Sequence, residues 1–99
     1  METQLITKLN QSFEEFAYQE NGVEYWFARD LQKLLEYTQW RNFEMVIEKA
    51  EIACQNADQH IDDHFADVSK MVDLGSGSQR EVNDVMLTRY ACYLIAPKC

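Results

Sequence analysis

Two histidines and four acids fall within ten residues, "DQHIDDHFAD" at 58–67. On a helix His60 and His64, four apart, would share a face, which is the spacing of a two-histidine metal site. Asp63 or Asp67 would then be the third ligand. The HExxH pattern is absent, and with it the general-base glutamate of that enzyme class. Turn-forming and polar residues dominate the stretch, and Ile61 and Phe65 are its large apolar members. The composition therefore favours a turn anchored by Ile61 and Phe65 over a metal centre. In that turn Asp62 or Asp63 is expected to bind backbone, and His64 to be hydrogen-bonded or to contact a partner.

The other chemistry-bearing residues are sparse. The serines, Ser12, Ser69, Ser76 and Ser78, stand outside any nucleophile-elbow context. Gly75-Ser76-Gly77-Ser78 lacks the lysine of a phosphate loop and the third glycine of a dinucleotide fingerprint. Cys54, Cys92 and Cys99 form no CxxC pair, so they read as two core residues and one terminal thiol rather than a disulfide or zinc framework. The expectation is a protein that is not an enzyme and holds no cofactor or metal.

Positive charge gathers in one place. Between 29 and 41, Arg29, Lys33 and Arg41 outnumber Asp30 and Glu36. Arg29 and Lys33 are four apart and share a helix face. Trp26, Tyr37 and Trp40 are close in sequence. Helix, short turn, helix is also the outline of a helix-turn-helix. The chain as a whole carries a formal net charge of −8. DNA contact therefore requires the basic residues on one face, and the acidic remainder suits a basic protein partner.

The elements that must position these residues follow from periodicity. Leu5, Ile6, Leu9, Phe13 and Phe16 predict a helix over 2–16. Asn21-Gly22 between apolar flanks predicts a hairpin with its second strand at 23–27. Leu31, Leu34 and Leu35 predict a short helix over 29–36, and Thr38 can cap the helix that follows. Trp40, Phe43, Val46, Ile47, Ala50, Ala53 and Cys54 form one stripe of a helix over 39–56. Met45 and Ile52 form a second, suggesting contact with two layers or with a partner. Residues 68–88 predict a hairpin with a tip at Gly75–Ser78. Thr88 can cap a last helix, 89–96, apolar nearly all round. Such a helix must be covered, by further structure or by a second copy in a homodimer through this helix.

With 99 residues, 46% hydrophobic and 26% charged, the chain reads as one globular domain. It contains no apolar run approaching the ~20 residues of a membrane span. The start has neither the basic region nor the apolar core of a signal peptide, so a cytoplasmic location is expected. The fold class is α+β: a single small domain, four or so helices packed with two short β-hairpins.

Four blocks carry a resemblance: Tyr25-Trp26-x-Ala28-Arg29-x-Leu31, Trp40-x-x-Phe43, Asp63-His64-Phe65 and Arg89-Tyr90-Ala91-Cys92-Tyr93-Leu94. Together they resemble the DNA-damage-inducible protein D (DinD) family, over about Phe13 to Ala96. That family begins with a domain similar to the BRO-N domain of viral and phage antirepressors. The resemblance implies a bacterial or prophage regulator of the SOS response. It implies a role on RecA recombinase–DNA complexes, or with another DNA-repair protein, and an α+β domain that binds DNA in some viral members. It implies that 1–99 is one BRO-N-like domain, an N-terminal fragment or truncated form of a longer protein. Many members have Gly where Glu36 precedes Tyr37, so this helix end is expected to be built differently. The candidate nucleic-acid or partner contacts are Arg29, Lys33, Arg41, Trp40, His64 and Arg89. The competing readings are a DNA-damage regulator acting on RecA, a DNA-binding antirepressor-like module and a self-association domain.

Overall fold

The computed structural model describes residues 12–96. Residues 12–15 are helical (α1). Leu5, Ile6 and Leu9 of the expected first helix, and Cys99, lie outside the described residues. Strands β1 (Tyr18–Glu20) and β2 (Val23–Phe27) follow, then α2 (Ala28–Leu34) and α3 (Trp40–Asn56). A 3-10 turn at Ile61–Asp63 leads into β3 (Phe65–Asp73), β4 (Gln79–Leu87) and α4 (Arg89–Ile95).

Asn21 and Gly22 have φ of 55° and 80°, the left-handed pair that a tight two-residue hairpin turn needs. This turn sets Tyr18 opposite Tyr25 and Glu20 opposite Val23. The two hairpins are not separate. Trp26 pairs with Leu87 and Phe27 with Met86, giving one antiparallel sheet of order β1-β2-β4-β3. The second hairpin is also longer than its expected span. Its strands run nine residues each, from Phe65↔Leu87 to Asp73↔Gln79.

Alternation in the sheet decides where the core sits. Trp26, Phe65, Val85 and Leu87 point to the helix side and are buried. Against them pack Phe43, Ile47, Ala50 and Cys54 of α3, Leu31 of α2, and Ala91, Cys92 and Ile95 of α4. Phe13 stacks on Trp26, with ring centroids 4.4 Å apart, and its carbonyl accepts the indole N–H at 2.7 Å. Truncating a fully buried ring such as Phe43 costs about 3–5 kcal/mol. The α3 stripe is as expected except at Ala53, which is exposed. Met45 and Ile52 are 57% exposed, so no second layer covers them among the described residues.

Helix ends differ from expectation in two ways. Thr38 does not cap α3; the cap position is Gln39, with no side-chain bond. Glu36 does take the left-handed conformation, at φ 63°, despite having a side chain. The N–H of Tyr37 donates to Gln32 O and that of Glu36 to Lys33 O, the paired bonds of a Schellman end. The end of α3 repeats the motif, with Asp58 at φ 61° and bonds from Gln59 to Cys54 and from Asp58 to Gln55.

Thr88 does cap α4, accepting the Ala91 N–H at 3.2 Å. The apolar character of α4 is largely absorbed by α3 and the sheet, leaving Tyr93 as its large exposed hydrophobic side chain. No helix among the described residues is long and apolar enough to cross a membrane.

Candidate nucleic-acid interface

Three elements meet at Arg29. It is the second residue of α2, which starts directly where β2 ends. Its backbone N–H donates to Asp84 Oδ1 at 3.0 Å, and its Nε donates to Asn83 O at 2.6 Å. β4 thus fixes both the main chain and the side chain of Arg29. The guanidinium then lies over the Trp40 ring, 4.2 Å from its centroid, an attraction between cation and aromatic face. Trp40 in turn rests near the buried Phe43, as does Tyr37.

Asp84 is buried and was not singled out by sequence reasoning. Its Oδ1 also accepts the Val85 N–H at 2.8 Å, and its Oδ2 stands 3.1 Å from Lys70 Nζ as an ion pair without hydrogen-bond geometry. Lys70 also sits over the Phe27 ring at 3.4 Å. A carboxylate from one strand therefore satisfies an orphan donor at the start of a helix fifty-five residues earlier in the chain.

The candidate residues divide into two groups. Arg29 and Trp40 come together where α2 meets the start of α3, and Lys33 stands one turn further along α2, exposed. Arg41 is exposed at the second position of α3. The first turn of that 17-residue helix has no acidic residue and no side-chain cap. Its first N–H groups and the positive end of its dipole are therefore left without an acidic or capping side chain, and Arg41 belongs to that first turn.

His64 and Arg89 are held elsewhere. His64 Nδ1 is 2.7 Å from Thr88 Oγ1, and the Thr88 N–H donates to His64 O at 3.1 Å. The histidine therefore ties the start of β3 to the cap of α4, and its ring packs near Tyr90. Arg89 donates to Glu24 through Nε at 2.7 Å and to Glu14 at 2.7 and 2.8 Å, and also bonds Tyr93. Those bonds hold both carboxyls below their ordinary range against the opposing effect of desolvation, and push the Arg89 guanidinium further up. Arg89 is thus a clamp joining α1, β2 and α4.

The "DQHIDDHFAD" segment is a turn followed by a strand. Phe65 is buried and Ile61 partly so. The turn closes through main-chain bonds, Asp63 N–H to His60 O and His64 N–H to Ile61 O. No side-chain bond from Asp62 or Asp63 to that backbone occurs among the described residues, a departure from expectation: a 3-10 turn satisfies its own donors. No group of three or more His, Cys, Asp or Glu among the described residues could hold a metal ion.

Residues 15–99 match the model of the BRO family, N-terminal domain, and the chain belongs to that family. Among curated proteins it is similar to the DNA damage-inducible protein D of Escherichia coli (strain K12), 46% identical over 87 residues. That match covers 87% of this chain and 32% of the relative, so the chain spans about a third of the relative's length. No solved structure matches.

Proposed function

We propose that this chain is a non-enzymatic, cytoplasmic regulator of the DNA-damage response that contacts the DNA backbone through the α2–α3 junction. One observation carries the reading: the open start of α3 lies beside Arg41 and beside an Arg29 fixed by Asn83, Asp84 and Trp40. Phosphate oxygens find backbone N–H groups, a helix dipole and two guanidinium groups there. Likeness to a DNA damage-inducible protein supports the regulatory role.

A finer target goes with it: RecA recombinase–DNA complexes, which the chain would modulate by occupying DNA next to the filament. Anisotropy of a labelled duplex titrated with the chain tests the first claim; a flat titration at low salt would sink it. RecA strand exchange with the chain at saturation tests the second, which unchanged exchange would remove while leaving DNA contact standing.

A further inference from the structure

The β3–β4 ladder fixes which backbone groups of β3 are already used. At one end the Thr88 N–H donates to His64 O, and at the other the Leu74 N–H donates to Ser78 O. Both bonds belong to the same continuous register that pairs Phe65 with Leu87 and Asp73 with Gln79. In an antiparallel pair, bonded residues alternate with residues whose N–H and C=O point away. The even-numbered residues of β3 are therefore bonded to β4. Phe65, Asp67, Ser69, Met71 and Asp73 direct their backbone groups outward. β3 is the last strand of the sheet, and no strand pairs with its outer side among the described residues. It runs nine residues without a proline or a bulge, and its protection against pairing with its own kind rests on charge, with Asp67 facing the helix side and Lys70 within the strand.

The ground beside this edge has one sign of charge. Asp67 and Ser69 line a groove of about 430 Å³ with Glu44 of α3 and with Asn83. Past Asp67 it continues along Glu48 and Glu51. Burial raises the Glu51 carboxyl, and Asp67 and Glu48 add to the effect. No ion pair to Glu44, Glu48, Glu51 or Asp67 occurs among the described residues.

We propose that the outer edge of β3 takes an extended basic strand of a partner protein. The added strand completes the backbone bonds of Asp67, Ser69 and Met71, and its alternate Lys or Arg side chains enter the groove beside Glu44, Glu51 and Asp67. A second copy of this chain fits poorly. In antiparallel pairing it would bring its own odd-numbered residues to that face, Asp67, Ser69, Met71 and Asp73, none of them basic. The groove borders the Arg29 site through Asn83 and Trp40, but its carboxylates repel phosphate, and the proposal does not rest on the DNA contact.

The test is an amide-exchange and chemical-shift titration of the 99-residue chain with an acetylated peptide of alternating Lys and Val, matched to β3 in length. An alternating Glu and Val peptide is the control. The Lys peptide should slow exchange at Asp67, Ser69 and Met71, and the Glu peptide should not. Ser69→Pro removes an N–H that the ladder does not use, and should weaken Lys-peptide binding at least about tenfold. The pair Glu44→Gln and Glu51→Gln leaves the edge intact and should weaken only the Lys peptide, which keeps the test available if the proline variant does not fold. Unchanged exchange at the odd-numbered amides, or equal binding of both peptides, would overturn the proposal. So would protection that appears without peptide as chain concentration rises, which would assign the edge to a second copy.

Discussion

The carboxylate of Asp84 in β4 accepts the backbone N–H of Arg29 at 3.0 Å. This bond joins the last hairpin to the start of α2 and, through the Asn83 carbonyl next to it, aims the Arg29 side chain at Trp40. Removing the carboxylate orphans two backbone donors and leaves Lys70 without its counter-ion. Asp84→Ala should therefore cost about 3 kcal/mol, and Asp84→Asn about half of that, in urea unfolding. Both variants make the chain less acidic, which by charge alone would tighten DNA binding. Positioning of Arg29 predicts the opposite: weaker binding by Asp84→Ala at a temperature where it remains folded.

Glu36 carries a left-handed backbone that glycine adopts without steric cost. Glu36→Gly should raise stability by about 0.5–1 kcal/mol, read as a higher urea midpoint at unchanged slope. A loss of stability would mean that the side chain makes contacts worth more than the strain.

Arg89 ties Glu14 and Glu24 together, and both carboxyls lie below the usual carboxylate range because it donates hydrogen bonds to them. A depressed acid contributes stability above its unfolded pKa and loses it as pH falls through the folded one. The wild type should therefore lose stability more steeply than Arg89→Gln as pH drops from the usual carboxylate range downward. Both glutamates are partly exposed, so solvent screening limits the neutral-pH cost of the variant to about 1 kcal/mol. Parallel pH curves would remove the clamp from the account.

What the sequence made legible was local. Asn21-Gly22, the α3 stripe and the Thr88 cap each depend on neighbours within a few residues, and each took its expected form, Ala53 of the stripe excepted. The joining of the two hairpins into one sheet was not legible, because Trp26↔Leu87 spans most of the chain and leaves no periodic trace. Asp84 was hidden for the same reason: an acid between Asn83 and Val85 looks solvated until α2 covers it. Arg89 looked available because its partners, Glu14 and Glu24, are 75 and 65 residues away. Arg29 and Trp40 were legible as members of one basic and aromatic stretch, but the contact between them was not. The terminus of α3 that completes the site became visible only when Thr38 proved not to cap it.

The measurement closest to the central claim is the salt dependence of duplex binding by the wild-type chain and by Arg29→Ala/Arg41→Ala. Each arginine that neutralises a phosphate contributes about one unit to the slope of log affinity against log salt. The double variant should bind more weakly, with a slope shallower by about two units. An unchanged slope and affinity would contradict a DNA contact at the α2–α3 junction.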